Sequence, residues 1–184
     1  MKVHPTSLPG LLLFELDVVR DERGAFVETY QEKRYAEAGV GVRFVQDNLS
    51  RSAARTLRGL HYQLRHPQAK LVHVVRGEVY DVAVDIRLGS PTFGRHFGAV
   101  LSEENRLQLF IPGGFAHGFC ALGDAAYVAY KVSASYAPDD EHAIAWSDPA
   151  LAIPWPTDDP IVSPRDRRAP LLCETAMLPT WSGP

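Results

Sequence analysis

Val79-Tyr80-Asp81-Val82-Ala83-Val84-Asp85-Ile86 is the stretch that decides the fold class. Side chains alternate across a β-strand, so Val79, Asp81, Ala83 and Asp85 share one face, and Tyr80, Val82, Val84 and Ile86 share the other. One face is wholly apolar; the opposite face carries two acids. Such a strand suits a barrel whose lumen holds a polar ligand. Taken alone, it reads first as a sheet with its acidic face in solvent. Just upstream, Lys70 to Val75 (KLVHVV) is a short apolar run, and Arg76-Gly77-Glu78 between the two reads as a turn.

Further strand candidates are Gly98 to Leu101, Leu107 to Ile111, Phe119 to Leu122 and Tyr127 to Val132, separated by turns with Gly, Pro or Asn. The best helix candidate is Gln31 to Ala38, closed by Gly39 at a C-cap position. Many short strands and few short helices predict an all-β jelly roll or small barrel. Asp159 to Pro170 reads as irregular, within a Pro-rich end (Pro154 to Pro184) that wraps the domain.

The length, 184 residues, suits one domain, 1–184, with an irregular C-terminal tail. A formal net charge of −3 gives no global basic field, so no nucleic-acid partner is expected, and an anionic ligand would need local cations. Leu11-Leu12-Leu13-Phe14 is broken by Glu15 and Asp17, far short of a membrane span. The N-terminus lacks the pattern of a signal peptide. With two cysteines, Cys120 and Cys173, there is no disulfide framework, and the chain reads as cytoplasmic with reduced thiols.

Three segments concentrate chemistry: Arg58-Gly-Leu-His61-Tyr-Gln63, Pro112-Gly-Gly-Phe-Ala-His117-Gly-Phe119, and Tyr130-Lys-Val-Ser-Ala-Ser-Tyr136-Ala-Pro138. A transition-metal site usually needs three protein ligands. Here a Pro-x-Gly-x-x-His half-motif ends in His117, but no His-x-His accompanies it, so no metal is expected. Acid–base chemistry fits better. A histidine moves protons near neutral pH, and a carboxylate on its other nitrogen makes it a better base. A tyrosine can return a proton, and a lysine can stabilise an enolate oxygen. Spacing alone does not bring these groups together. Lys70 could equally be an edge-strand lysine, Asp166 a turn cap and Tyr130 a packing residue.

Arg58 to Gln63, Gln68-Ala-Lys-Leu-Val72, Asp81-Val-Ala-Val-Asp85-Ile-Arg87, Ser90-Pro-Thr-Phe-Gly94 and Gly114-Phe-Ala-His-Gly-Phe119 together resemble the dTDP-4-dehydrorhamnose 3,5-epimerase family. Asp21-Glu-Arg-Gly24, Phe44-Val-Gln-Asp-Asn48 and Trp146-Ser-Asp-Pro149 extend the resemblance from about Leu8 to Leu172. It implies a metal-free, cupin-type jelly roll (a double-stranded β-helix) and a homodimer whose N-terminal strands cross to the partner. It places the general base on His61, its orienting carboxylate on Asp166, the general acid on Tyr130 and the enolate-stabilising lysine on Lys70. Tyr136 falls where a tyrosine stacks on thymine. Nucleotide and phosphate contacts fall on Arg23, Glu28, Gln46, Asp47, Asn48, Arg58 and His117, and substrate contacts on Glu141 and Arg165. The chain departs from the family pattern at His73, where an arginine is usual, and at Ser135, where a second tyrosine often stands.

The implied substrate is dTDP-4-dehydro-6-deoxy-D-glucose, whose ketone acidifies the hydrogens on carbons 3 and 5. Only protons move, so no cofactor is implied. The competing readings are an epimerase of one carbon only, a non-catalytic sugar-binding cupin, and a metal-dependent cupin oxygenase disfavoured by the missing His-x-His.

Overall fold

The computed structural model describes residues 1–183. The strands are β1 (Lys2–Pro5), β2 (Leu12–Glu15), β3 (Val19–Asp21), β4 (Gly24–Phe26), β5 (Gln46–Ala53), β6 (Leu57–Gln63), β7 (Lys70–Asp85), β8 (His96–Ser102), β9 (Leu107–Ile111), β10 (Phe115–Val132) and β11 (Glu141–Ala143). The helix α1 (Glu32–Glu37) sits between β4 and β5. The main sheet runs β1-β2-β9-β7-β10-β6-β11, with β5 also on β10 and β8 also on β7. Strands β3 and β4 pair only with each other.

Two long strands, β7 and β10, organise the molecule. They pair antiparallel along most of their lengths. On its other edge β7 takes β9 along Lys70–His73 and β8 along Glu78–Val84. Strand β10 takes β6 near His117 and β5 from Ala125 to Val132. Each long strand therefore belongs to both walls of a cupin-type jelly roll, and residues from both halves meet in one interior core around Val72, Val79, Leu109, Phe119 and Val128.

Arg76-Gly77-Glu78 is not a turn: β7 passes through it without a break. The irregularity lies in the register with β10, which shifts between Leu122 and Tyr127. Gly77 has φ +82, and a Cβ there would stand 2.2 Å from the Ala125 carbonyl oxygen, so only glycine fits. The bulge switches the side-chain alternation. Lys70, Val72 and Val74 face the interior before it, and Val79, Asp81 and Ala83 after it. Strand β10 switches in step, from His117, Phe119 and Ala121 to Ala126, Val128 and Tyr130. Phe119 to Leu122 and Tyr127 to Val132 are thus two parts of one strand.

The acidic face of Val79–Ile86 does not meet solvent, because both faces of the strand are covered. Val82, Val84 and Ile86 pack under Ile144, Leu151 and Leu172 with Trp155 and Leu178, so the C-terminal tail closes that side. Asp81 and Asp85 are each 0% exposed. Burial pushes the Asp85 carboxyl up, yet Arg87, Ser90 and Thr92 donate to it and hold it at about 2. The Arg87 guanidinium lies 4.4 Å from the Phe115 ring and 4.1 Å from the Trp181 ring, which ties the tail to the sheet. A third core, with Phe14, Tyr35, Leu71 and Phe110, forms under α1. That helix has Gln31 as N-cap, accepting from the Arg34 amide, and Ala38 as C-cap, followed by Gly39 at φ +101.

Candidate active site

A cavity of about 470 Å³ opens into the jelly roll. Strand β6 brings His61 to it, β7 brings Lys70, β10 brings His117 and Tyr130, and β5 brings Gln46, Asn48 and Ser50. Two glycines let β6 and β10 approach beside the histidines. A Cβ on Gly59 (φ +122) would lie 2.6 Å from the Gly118 Cα and 2.7 Å from the His117 carbonyl oxygen. His61 and His117 are direct cross-strand partners.

His61 hydrogen-bonds Asp166 Oδ1 through Nε2 at 2.7 Å, and its side chain is 25% exposed against 5% for Asp166. Asp166 opens a short 3₁₀ turn, Asp166–Arg168, whose first amide donates to Ser163 Oγ, while the Gly59 amide donates to Asp166 Oδ2. Burial raises the Asp166 carboxyl, but the hydrogen bond and charge of His61 outweigh it and hold Asp166 below the ordinary carboxylate range. An ionised carboxylate can only accept, so a neutral His61 carries its proton on Nε2 and presents an Nδ1 lone pair. This is the arrangement of a general base.

Lys70 lies in a central strand, between β9 and β10, so the edge-strand reading does not hold. Burial pushes its ammonium down to about 8, against the opposing pull of Glu141 and Asp81. Tyr130 is half-buried on the same wall of the cavity, and burial pushes its hydroxyl up, so it stays protonated at neutral pH. At the mouth, Tyr136 is 50% exposed; its amide donates to Gln46 Oε1 and its hydroxyl to Glu141 Oε2 at 3.1 Å. Arg165 donates to the Glu141 carboxylate and to its carbonyl oxygen, and Arg58 Nε donates to Ser52 Oγ. Among the described residues, no group of three or more His, Cys, Asp or Glu is placed to hold a metal ion.

The fold thus gathers His61, Lys70, His117, Tyr130, Asp166, Gln46, Asn48, Arg58, Tyr136, Glu141 and Arg165 around one cavity. It does not bring Arg23, Glu28 or Asp47 there. Strand alternation turns Asp47 away from Gln46 and Asn48, and its carboxylate takes Lys131 instead. Arg23 sits on the β3–β4 hairpin, paired with Asp21, and Glu28 pairs with Arg34. Ser50, Gln68, Phe119 and Ser163 line the cavity without having been singled out in the sequence, and Asp81 stands behind His117. Of these, Gln68 and Phe119 fall within the quoted motifs and Asp81 appears as an acid on the β7 strand, each without an assigned role.

The model of a family described as dTDP-4-dehydrorhamnose 3,5-epimerase matches residues 5–174. An enzyme of that name from Pseudomonas aeruginosa is 49% identical over 181 residues, covering 97% of this chain and 100% of the relative. A dTDP-4-dehydrorhamnose 3-epimerase from Streptomyces niveus is 42% identical, over 99% of this chain and 90% of its own length. The crystal structure of an epimerase from Legionella pneumophila in complex with dTDP-4-keto-L-rhamnose superposes with a TM-score of 0.97, at 49% identity, covering 99% of each chain.

Proposed function

The chain belongs to the dTDP-4-dehydrorhamnose 3,5-epimerase family, and from that premise we propose how its own residues carry the reaction. The substrate is dTDP-4-dehydro-6-deoxy-D-glucose and the product dTDP-4-dehydro-L-rhamnose. His61 takes the hydrogen on carbon 3 or 5 through its bare Nδ1. The electron pair moves into the ketone, and the Lys70 ammonium meets the charge on the enolate oxygen. Tyr130 then gives its proton to the same carbon from the opposite face, which inverts it. The observation that carries this reading is that the His61–Asp166 pair lines one cavity together with Tyr130 and Lys70. Product analysis by NMR, with a coupled reductase to trap the ketosugar, tests it. Inversion at one carbon only, the activity in the name of the Streptomyces niveus relative, would leave the other carbon in its original configuration in the trapped product.

A titration follows from Lys70. The lysine must be charged to stabilise the enolate, and its folded-state value is depressed to about 8. In the free enzyme, the alkaline limb of kcat/KM is therefore expected near that value, with activity falling as pH rises through it. Lys70→Arg keeps a charge that does not titrate there. Its residual activity should lack the limb near 8, and an unchanged limb would assign the titration elsewhere.

Tyr136 offers an exposed ring at the mouth for the thymine base. Stacking on a base contributes about 1–3 kcal/mol. Tyr136→Ala is expected to raise KM about tenfold or more and to change kcat less, because the base lies away from the reacting carbons. An unchanged KM returns Tyr136 to a packing role.

The working unit is a homodimer in the cytoplasm in which the β3–β4 hairpin reaches the neighbour's nucleotide site. Val19 and Phe26 on this hairpin are 64% and 70% exposed, an apolar surface that a partner would cover. The location of Arg23 and Glu28 outside their own cavity supports the same reading. Arg23→Ala should raise KM, and His61→Asn should be inactive. Co-expression of the two variants should produce a component with wild-type KM, because one site of the mixed dimer has both residues intact. A mixture that only dilutes the Arg23→Ala activity would rule out the exchange.

A further inference from the structure

His117 repeats the arrangement of His61 with a different carboxylate. Its Nε2 lies 3.0 Å from both Oδ1 and Oδ2 of Asp81. Asp81 is 0% exposed, on the interior face of β7 just past the bulge, and no other donor reaches its carboxylate among the described residues. The other ring nitrogen, Nδ1, has no partner in the fold. It is also not sealed, since the only fully buried unpartnered side-chain polar atom among the described residues is Arg106 Nε. Because His117 lines the cavity, Nδ1 opens into it. Burial pushes the His117 ring down, and the neighbouring charges of Lys70 and His61 act in the same direction against the pull of Asp81. The ring is therefore neutral near pH 7, with one proton and one lone pair to place.

We propose that Asp81 is a positioning residue that fixes the His117 proton on Nε2, so that the bare Nδ1 accepts a hydrogen bond from a sugar hydroxyl beside the reacting ketone. This rests on the ketosugar reading of the cavity and departs from the expected phosphate contact. A lone pair aimed at a phosphate oxygen repels it, and Arg58 and Arg165 already supply cations at the mouth. A hydroxyl has a proton to give and suits the site. His61 and His117 are cross-strand partners, so the hydroxyl held by one lies close to the carbon attacked by the other.

The test begins with the wild-type protein labelled with ¹⁵N in its histidines. Long-range ¹H–¹⁵N spectra should place the His117 proton on Nε2 between about pH 6 and 8. Adding dTDP alone should leave the Nδ1 resonance where it is. Adding dTDP-glucose, which has sugar hydroxyls but no ketone, should move it. A proton on Nδ1, a doubly protonated ring, or an equal response to dTDP alone would overturn the proposal. In Asp81→Asn the carboxamide can donate to Nε2, so the ring proton should shift to Nδ1. KM should rise about tenfold, while deuterium exchange by His61 persists at saturating substrate. An Asp81→Asn ring that keeps the Nε2 proton, or a wild-type KM, overturns it as well. The ring readout needs no turnover. If it comes out as expected while the protein fails to epimerise, the ketosugar reading falls and the assignment of Asp81 stands.

Discussion

Replacing His61 by asparagine is expected to abolish incorporation of solvent deuterium at carbons 3 and 5 of the ketosugar. Without a base no enolate forms, and exchange reports the enolate directly, whatever happens to the proton afterwards. General acid–base groups contribute about 10²–10⁴-fold, or about 3–5 kcal/mol of barrier. Asp166→Asn should lose exchange by a related route. Its carboxamide can donate to Nε2, which moves the ring proton to Nδ1 and aims an N–H, not a lone pair, at the carbon acid. Thermal melts separate this from unfolding, since the Gly59 and Ser163 contacts to Asp166 also hold β6 and the tail together. Exchange that survives in His61→Asn would move the base to His117, the other cavity histidine with a carboxylate behind it.

Tyr130→Phe is expected to separate two events that the wild-type enzyme couples. The ring and its packing remain and only the hydroxyl goes. His61 still deprotonates, and the enolate can be reprotonated from the face it came from. Deuterium should therefore continue to enter in part, while inverted product falls by about 10²–10⁴-fold. The informative quantity is the ratio of exchange to inversion. Equal loss of both would mean that Tyr130 shapes the cavity and does not deliver the proton.

The β9 strand, Leu107 to Ile111, was legible residue for residue, and the helix to within one residue at each end, Gln31 and Ala38 being its caps, because each carries its signal locally. What the local pattern does not carry is the continuity of β7 through Gly77, where Arg76-Gly77-Glu78 reads as a turn. A period of two predicts faces only while the register holds, and the bulge that switches it is set by β10, more than forty residues downstream. The two acids of β7 are buried for a different reason: the barrel wall covers one face of Val79–Ile86 and the C-terminal tail covers the other, which no pattern within the strand announces. Strand β6 gave no strand signal beyond its motif, because Arg58-Gly59 interrupts the apolar run. The pairing of His61 with Asp166 came from resemblance, and the pairing of His117 with Asp81 did not come at all. Spacing rules reach along one element, whereas these contacts form only once β6, β7, β10 and the tail have packed. Asp47 was misplaced for a plainer reason. It stands between two cavity residues on a strand, and that neighbourhood alone sends it to the opposite face.

The His61–Asp166 contact spans 105 residues. During synthesis the β6 strand emerges early, and its histidine can settle into the forming barrel well before Ser163 to Arg168 leaves the ribosome. In a chain without this turn the His61 imidazole lacks the carboxylate that fixes its proton, which is then free to sit on either nitrogen. Such a chain can hold a nucleotide without turning over its sugar. The tail that ties down over Arg87 thus does more than cover the sheet: its arrival is the step that arms the base. Proteolytic clipping in this segment should leave a protein that still binds dTDP and has lost its chemistry.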